Sequence, residues 1–193
     1  MKICVVGTHG VGKTSFASRM FSHAISSGID ARLIHEVARD CPFGINQYMT
    51  VDTTRWIITN QIARELFAES KRPKLIVCDR GAMDASMYAR SFFKDIDDVT
   101  DSLIRASLDW MSTYDKIFYI KPSSRSTIMA DGVRDTDVDY QLKVNLAFED
   151  ALRFLRIDYP EDKIITMLSD DIRRDFKNFF EELFHGLNNV RKH

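Results

Sequence analysis

Long apolar runs, cysteine-rich motifs and an excess of one charge are all missing from this sequence of 193 residues. Because no run reaches the roughly 18 apolar residues that a membrane-spanning helix needs, we expect no membrane partner. The first apolar run is also too short for a signal peptide. The 27 basic and 28 acidic residues give a formal net charge of −1, which offers no general reason to expect binding to nucleic acid.

Cysteine and proline are scarce, with 3 and 4 residues respectively. The spacing of Cys4, Cys41 and Cys78 matches no metal-binding motif, and two of the three fall in predicted buried strands. We therefore expect reduced thiols and a cytoplasmic location. Neither an internal repeat nor a low-complexity linker divides the chain, so we predict a single domain over residues 1–193.

A glycine-rich octet from Gly7 to Thr14 directly follows the first apolar strand and reads Gly-Thr-His-Gly-Val-Gly-Lys-Thr. It fits G-x-x-x-x-G-K-[ST], the phosphate loop whose backbone N–H groups surround a polyphosphate. In this motif Lys13 brings its charge to the β- and γ-phosphates, and the Thr14 hydroxyl ligates Mg²⁺. We predict ATP and Mg²⁺ as cofactors, with nucleotide-binding residues Gly7, Thr8, His9, Gly10, Val11, Gly12, Lys13, Thr14 and Ser15.

Apolar strands alternate with helical segments along the chain. This alternation predicts an α/β sandwich with a mainly parallel five-stranded sheet and helices on both faces. Together with the phosphate loop, it resembles the three-layer sandwich of P-loop NTPases. The strands are predicted at residues 2–6, 30–35, 75–78, 116–120 and 163–167, and a lid segment at about 121–138. Ligands bind at the carboxyl edge of such sheets, so polar residues that follow the strands are expected to converge there.

Glu36 ends the second predicted strand. Phosphoryl transfer to an alcohol benefits from a carboxylate that accepts the hydroxyl proton and aligns its attack, which makes Glu36 a candidate base. Pairing with Arg39, or simple exposure, explains this carboxylate equally well.

Asp79 follows the third predicted strand in the manner of a Walker-B carboxylate, and with Thr14 it is a candidate ligand of Mg²⁺. The alternative is a structural pairing with the adjacent Arg80. Arg80 itself is a candidate to clamp a phosphate or the phosphoryl acceptor in bidentate fashion. Asp84 is explained as readily by a helix cap as by a role in a site.

Two arginines lie in the polar segment after the fourth strand. Arg134 is a candidate to close over the nucleotide and stabilise charge on the transferring group, and Arg125 is a candidate to assist it. Surface arginines among aspartates are the alternative. On the long helix predicted between the second and third strands, Gln61 is a candidate to hydrogen-bond the base or amide edge of a ligand. Trp56 or Phe43 is a candidate to stack on the ring of that ligand.

Taken together, these motifs resemble the P-loop nucleoside/nucleotide kinase-like ATPases, which include the ribosylnicotinamide kinase domain and many phage and bacterial ATP-binding proteins. The matching pieces are the phosphate loop, Glu36-Val37-Ala38-Arg39, Trp56-x-x-x-x-Gln61-x-x-x-Glu65, Asp79-Arg80 and Asp131-Gly132-Val133-Arg134. With the loop, the resemblance implies a catalytic set of Lys13, Glu36, Asp79, Arg80 and Arg134. Substrate contacts are then expected from Glu36, Arg39, Gln61 and Arg80, and metal contacts from Thr14 and Asp79.

Two positions depart from the family pattern. Relatives often carry Ser after the acidic-Arg pair, where this chain has Gly81. Many related lids have an arginine on the following helix, where this chain offers Gln141 and Lys143. These differences bear on the acceptor contacts and on the completeness of the lid.

The leading hypothesis is a kinase that transfers phosphoryl from ATP to a nucleoside, nucleotide or related small molecule. An alternative in the same chemistry is a kinase acting on nucleic acid, at a polynucleotide 5′ end or a modified base. A third hypothesis, from another class, is a nucleotide-dependent switch or binding module. Against a GTPase, the sequence contains no Asn-Lys-x-Asp segment to recognise guanine.

Overall fold

The sheet of this protein is parallel and five-stranded, as seen in a computed structural model that describes residues 1–123, 138–172, 180, 181 and 183. Its strands follow the spatial order β2-β3-β1-β4-β5, and every neighbouring pair is parallel. The strands are β1 (Lys2–Val6), β2 (Ala31–Ile34), β3 (Leu75–Asp79), β4 (Lys116–Lys121) and β5 (Ile164–Leu168). The predicted α/β architecture is therefore confirmed.

Helices connect the strands in the order that a parallel sheet requires. They are α1 (Lys13–Ser26), α2 (Val51–Ser70), α3 (Asp84–Phe92), α4 (Asp98–Trp110) and α5 (Val138–Asp158). Short 3₁₀ turns cover Val37–Asp40, Asn46–Tyr48 and Met111–Thr113. The first of these turns directly follows Glu36, so the chain bends away from the sheet as soon as that side chain has reached the rim.

The core is divided by the sheet because successive strand residues point to opposite faces. On β1, Ile3 and Val5 pack with Phe16 of α1 on one face. Cys4 and Val6 pack with Phe148 of α5 on the other face. Apolar side chains cover both sides, which explains why the strands are continuous apolar runs rather than alternating ones.

Cys4, Cys41 and Cys78 are free thiols, as expected from their spacing. Within the described ranges, the chain has no helix long and apolar enough to cross a membrane. The predicted lid falls mostly on residues 124–137, which include Arg125 and Arg134. These residues lie outside the part of the chain that the structure describes.

Candidate functional site

The phosphate loop connects β1 to α1 at the carboxyl edge of the sheet. Gly7 adopts a φ of +139°, and a Cβ there would lie 2.4 Å from the carbonyl oxygen of Ile120. Only glycine permits this close approach to β4 at that backbone angle. The central strands therefore hold the start of the loop directly, through backbone contact.

Lys13 is buried beneath the loop it belongs to. Its Nζ donates to the carbonyl oxygens of Gly7 at 2.7 Å and Thr8 at 2.5 Å. Burial, reinforced by the positive charge of Arg80, lowers the pKa of Lys13 to about 7. The carboxylates of Asp84, Glu36 and Asp79 oppose this lowering, and a polyphosphate in the loop would add to their effect, since anionic neighbours favour the protonated amine.

Asp79 ends β3 beside the loop and is 2% exposed. Burial raises the pKa of its carboxyl group, although hydrogen bonding from the Thr14 side chain opposes that effect. The Asp79 Oδ1 atom has no hydrogen-bond partner among the described residues. A buried, unpaired carboxylate oxygen next to a hydroxyl suits Mg²⁺, which takes one or two protein oxygens and completes its shell with water and phosphate.

No cluster of three or more His, Cys, Asp or Glu side chains suited to a metal occurs within the described residues.

Glu36 is held by two arginines at the rim of the sheet. Its Oε1 atom accepts from Arg80 Nε at 2.6 Å, and its Oε2 atom accepts from Arg39 Nε at 2.9 Å. Burial alone would raise the pKa of Glu36, but the nearby charges of Arg80, Lys13 and Arg39 lower it to about 2. The pairing expected as an alternative is thus present, and it includes a second arginine that the sequence did not indicate.

Arg80 lies at the centre of this ionic cluster, which we define as Glu36, Arg39, Arg80 and Asp84. Its backbone has a φ of +93°, an uncommon conformation for a residue other than glycine. Arg80 Nη1 lies 3.3 Å from Asp84 Oδ1, and the guanidinium carbon lies 5.6 Å from the centre of the Tyr88 ring. These contacts hold the guanidinium group of Arg80 in one position within the cluster.

Asp84 has a larger role in this ionic cluster than its position near the start of a helix indicated. Its Oδ2 accepts from the backbone N–H of Gly81 at 3.0 Å, so it braces the turn after β3. Burial raises the pKa of Asp84 to about 6, against the opposing charge of Arg80. Asp84 and Tyr88 lie one helical turn apart on α3, and this i, i+4 spacing is the signal that a sequence reading could have used.

Gly81, where relatives often carry Ser, is closely packed against β1. A Cβ at this position would lie 2.9 Å from Val6 Cγ1 and 3.2 Å from Cys4 Sγ. The backbone of the turn therefore packs directly on β1, where a Ser side chain would collide with the core.

A single pocket joins the phosphate loop to the ionic cluster. The predicted residues Lys13, Thr14, Glu36, Arg39, Gln61 and Arg80 all line it. In the described part of the chain its wall also includes Tyr88 of α3, but neither Trp56 nor Phe43. Asp84, for which the sequence left a site role open, also lines the pocket. Other lining residues that the sequence did not indicate are Ile45, Asn46, Met49, Thr53, Ile57 and Ala85.

The start of α5 is attached to the phosphate loop. Gln141 Nε2 donates to the His9 carbonyl oxygen at 2.8 Å, and the Thr8 hydroxyl donates to the Gln141 carbonyl oxygen at 3.3 Å. The Tyr140 ring stacks on His9 with 5.8 Å between the ring centres. Gln141, noted above as a departure from the family pattern, thus contacts the loop backbone.

The sheet order, the glycine-rich loop and the acidic-Arg turn after β3 define the P-loop nucleoside kinase-like class of α/β proteins. Within that class, the chain belongs to the AAA_28 family, described as an AAA domain, whose model matches residues 2–165. No curated protein matches the chain in sequence. The family resemblance drawn from the motifs is confirmed at this level.

Solved structures share the fold at low sequence identity. Deoxyadenosine kinase from M. mycoides, with the products dCMP and a flexible dCDP bound, has a TM-score of 0.64 at 15% identity, covering 98% of this chain and 100% of that one. The same enzyme with bound dATP gives 0.64 at 16% identity, covering 97% and 99%. NadR protein in complex with NR gives 0.63 at 22% identity, covering 86% of this chain but only 45% of that one. At these identities the likeness shows the shared fold, while function has to be argued from the site.

Proposed function

We propose that this protein is a kinase that transfers phosphoryl from ATP, with Mg²⁺, to a nucleoside, nucleotide or related small molecule. The observation that carries the proposal is the continuous pocket from Lys13 and Thr14 to Glu36, Gln61 and Arg80. A nucleotide-dependent switch needs no space for a phosphoryl acceptor beside the phosphate loop. The part of this pocket that extends beyond the loop supports a reaction between two substrates.

In this proposal the phosphate loop and Lys13 hold the donor phosphates, and Thr14 and Asp79 hold Mg²⁺. Bound there, the ion neutralises charge on the phosphate oxygens. Arg134, whose segment the structure does not describe, is proposed to close over the transferring group.

Glu36 is proposed to orient the attacking hydroxyl rather than to act as a strong base. A carboxylate with a pKa of about 2 stays ionised and accepts a hydrogen bond, but it has little affinity for the proton. Phosphoryl transfer through a loose transition state tolerates this, because alignment and electrostatic stabilisation supply most of the catalysis. The arginines on both Glu36 oxygens hold the carboxylate in one orientation.

The dATP complex of deoxyadenosine kinase and the NR complex of NadR show that proteins of this fold bind nucleotides and small ligands of this kind. The pocket of this chain supports a related acceptor. Its lining combines apolar side chains such as Ile57 and Met49 with a few polar groups, the usual composition of a small-molecule site.

The test mixes purified protein with ATP, Mg²⁺ and a panel of nucleosides and nucleotides, and detects phosphorylated products by mass spectrometry. For the acceptor that is converted, Glu36→Gln is expected to lower kcat by about 100-fold while ATP affinity changes little. Asp40→Asn is the matched control, because Asp40 lies four residues later and pairs with Arg64 on the surface.

Two results would count against the proposal. If ATP binds but no panel member is phosphorylated, the chain is a nucleotide-binding module rather than a small-molecule kinase. If Glu36→Gln keeps full activity, the role assigned to Glu36 is wrong even though the kinase assignment stands.

A further inference from the structure

His9 belongs to the phosphate loop in sequence, but its side chain packs on two other elements of the fold. It is 3% exposed and lines the pocket. The His9 ring stacks on Tyr140 with 5.8 Å between the ring centres and lies 6.2 Å from the centre of the Tyr88 ring. The two tyrosine rings meet edge to face at 6.1 Å. These three rings, which we call the aromatic cluster, are close enough to pack as one unit.

Each ring of the aromatic cluster comes from a different element, and two of them contact other residues of the pocket wall. Tyr88 lies on α3, and the guanidinium carbon of Arg80 is 5.6 Å from the centre of its ring. Tyr140 lies in the first turn of α5, and its hydroxyl donates to Met49 Sδ at 3.9 Å. Arg80 and Met49 both line the pocket. The cluster therefore connects the phosphate loop to the side of the pocket where we propose that the phosphoryl acceptor binds.

The backbone of His9 is attached to α5 as well as its ring. The His9 carbonyl oxygen accepts from Gln141 Nε2 at 2.8 Å, and the carbonyl oxygen of Gln141 accepts from the Thr8 hydroxyl at 3.3 Å. Gln141 is the neighbour of Tyr140 in the chain, so ring and backbone contacts join the same two segments. Because protein interiors are close-packed, a displacement of the loop at His9 also moves the first turn of α5.

A bound nucleotide restricts this arrangement from the loop side. Backbone N–H groups of the loop motif surround a polyphosphate, so the backbone at His9 becomes fixed when the phosphates bind. The ring follows its backbone, and its packing then restricts Tyr88 and Tyr140. A second ligand that contacts the same wall finds it already ordered and loses less conformational entropy on binding.

We propose that His9 makes the binding of nucleotide and of phosphoryl acceptor cooperative, because nucleotide phosphates at the loop order the α3 wall and the first turn of α5 through the aromatic cluster. His9 acts through Tyr88 and Tyr140, so it is a positioning residue rather than a catalytic one. The inference rests on the proposed function and adds a dependence of acceptor binding on the nucleotide.

The first experiment needs no phosphoryl acceptor. Hydrogen exchange of the full chain is measured with and without Mg²⁺ and AMP-PNP, a non-hydrolysable ATP analogue, at concentrations that saturate each variant. In the wild type, the amides of α3 (Asp84–Phe92) are expected to exchange about threefold or more slowly with the analogue bound, because the wall becomes ordered. In His9→Ala the bound analogue is expected to leave the exchange of α3 unchanged.

Three further variants separate this positioning role from general stability. His9→Phe keeps a ring in the cluster and is expected to restore the slower exchange of α3. Tyr140→Leu leaves the loop sequence intact and is expected to weaken the response, which gives a result even where a His9 variant folds poorly. His23→Ala is the matched control, because His23 also packs on an aromatic ring, that of Phe180 at 4.4 Å, but lies in the last turn of α1 and not in the pocket wall. It is expected to respond like the wild type.

The second experiment uses the phosphoryl acceptor that the nucleoside and nucleotide panel identifies. AMP-PNP is expected to lower the Kd of that acceptor by about tenfold, and the acceptor is expected to lower the Kd of AMP-PNP by the same factor, since linkage is reciprocal. His9→Ala is expected to remove this factor and to raise the KM of the acceptor more than it lowers kcat. His9→Phe is expected to restore it.

The inference is overturned if AMP-PNP binds the wild type without slowing exchange in α3, or slows it equally in the wild type and in His9→Ala. It is also overturned if nucleotide and acceptor bind independently of one another. In these cases the kinase function stands wherever the panel gives a phosphorylated product. If AMP-PNP does not bind the wild type at all, the proposed function fails and this inference fails with it.

Discussion

The phosphate loop and the ionic cluster lie in one pocket but are built in opposite ways. The loop takes its groups from one continuous stretch, Gly7 to Thr14, and the motif it fits binds phosphate mainly through backbone N–H groups. The ionic cluster joins side chains that follow β2 with others from β3 and α3, and it works through charge pairs such as Glu36 with Arg80. The first is local in sequence, and the second exists only after the chain has folded.

Because they are built differently, the phosphate loop and the ionic cluster should contribute differently to ligand recognition. A loop of backbone N–H groups recognises any polyphosphate, so it identifies the donor class and nothing finer. The side chains of Glu36, Gln61 and Arg80 line the pocket beyond the loop, and we propose that they determine what can enter beside the donor. Mutations in the two halves should therefore have different effects, which the following experiments measure.

The largest effect is expected in the phosphate loop. Lys13→Ala removes the buried ammonium group, and we expect kcat/KM for phosphoryl transfer to fall by about 100- to 1000-fold, since a preorganised charge at the transferring group is lost. The matched control is Lys74→Ala, an exposed lysine outside the pocket. Comparable activity in both variants would remove Lys13 from the catalytic set.

The turn between the two halves should be sensitive to added volume. Gly81→Ser places a side chain against Val6 and Cys4, and we expect a loss of about 1–3 kcal/mol in the free energy of unfolding. Urea denaturation measures this, with the exposed Ala63→Ser on α2 as a control for an added hydroxyl. Unchanged stability in Gly81→Ser would mean that the turn has room for the family's Ser.

The ionic cluster should make stability depend on pH. The pKa of Glu36 is lowered from 4.5 to about 2, so its pairing stabilises the fold fully above pH 4.5 and progressively less as the pH falls toward 2. Glu36→Gln should therefore be less stable than the wild type at neutral pH, and the difference should shrink as the medium is acidified. Urea midpoints at pH 7, 4.5 and 3 measure it.

Asp40→Asn serves as the control in that series, because the Asp40–Arg64 pair is exposed. A difference between wild type and Glu36→Gln that stays constant over the whole pH range would contradict the pairing of Glu36 with Arg80.

The smallest effect is expected where α5 contacts the phosphate loop. Gln141→Ala removes a single hydrogen bond to the His9 carbonyl, so we expect ATP affinity to fall only about three- to tenfold. Isothermal titration calorimetry measures the change, with the exposed Lys143→Ala on the same helix as control. Equal affinities in the two variants would show that this contact does not support the loop.

Prediction from sequence succeeded where the determinants are local. The octet Gly7–Thr14 lies where the motif requires it, between a buried strand and a helix that begins at Lys13. The alternation of apolar and helical segments was enough for the parallel sheet. The rule that polar residues after parallel strands meet at one rim also placed Glu36 beside Arg80.

Prediction was incomplete where side chains from distant segments meet. Asp84 was interpreted as a helix cap as readily as a site residue, and its contact with Arg80 depends on the path of the turn after β3. The place of Tyr88 in the wall of the pocket becomes visible only when α3 is placed against that turn. The roles of Arg125 and Arg134 stay predictions.

By itself, the sequence determined the phosphate loop, the parallel sheet and the rim where ligands bind, because backbone conformation and apolar periodicity are set by neighbouring residues. Only the tertiary structure decided that Glu36 is held by two arginines, that Gly81 packs on β1, and that the ring of His9 contacts two tyrosine rings. The physical reason is that hydrogen bonds and ion pairs depend on distances between segments that are far apart in the chain. In Glu65 and Lys2, partners 63 positions apart meet inside the core.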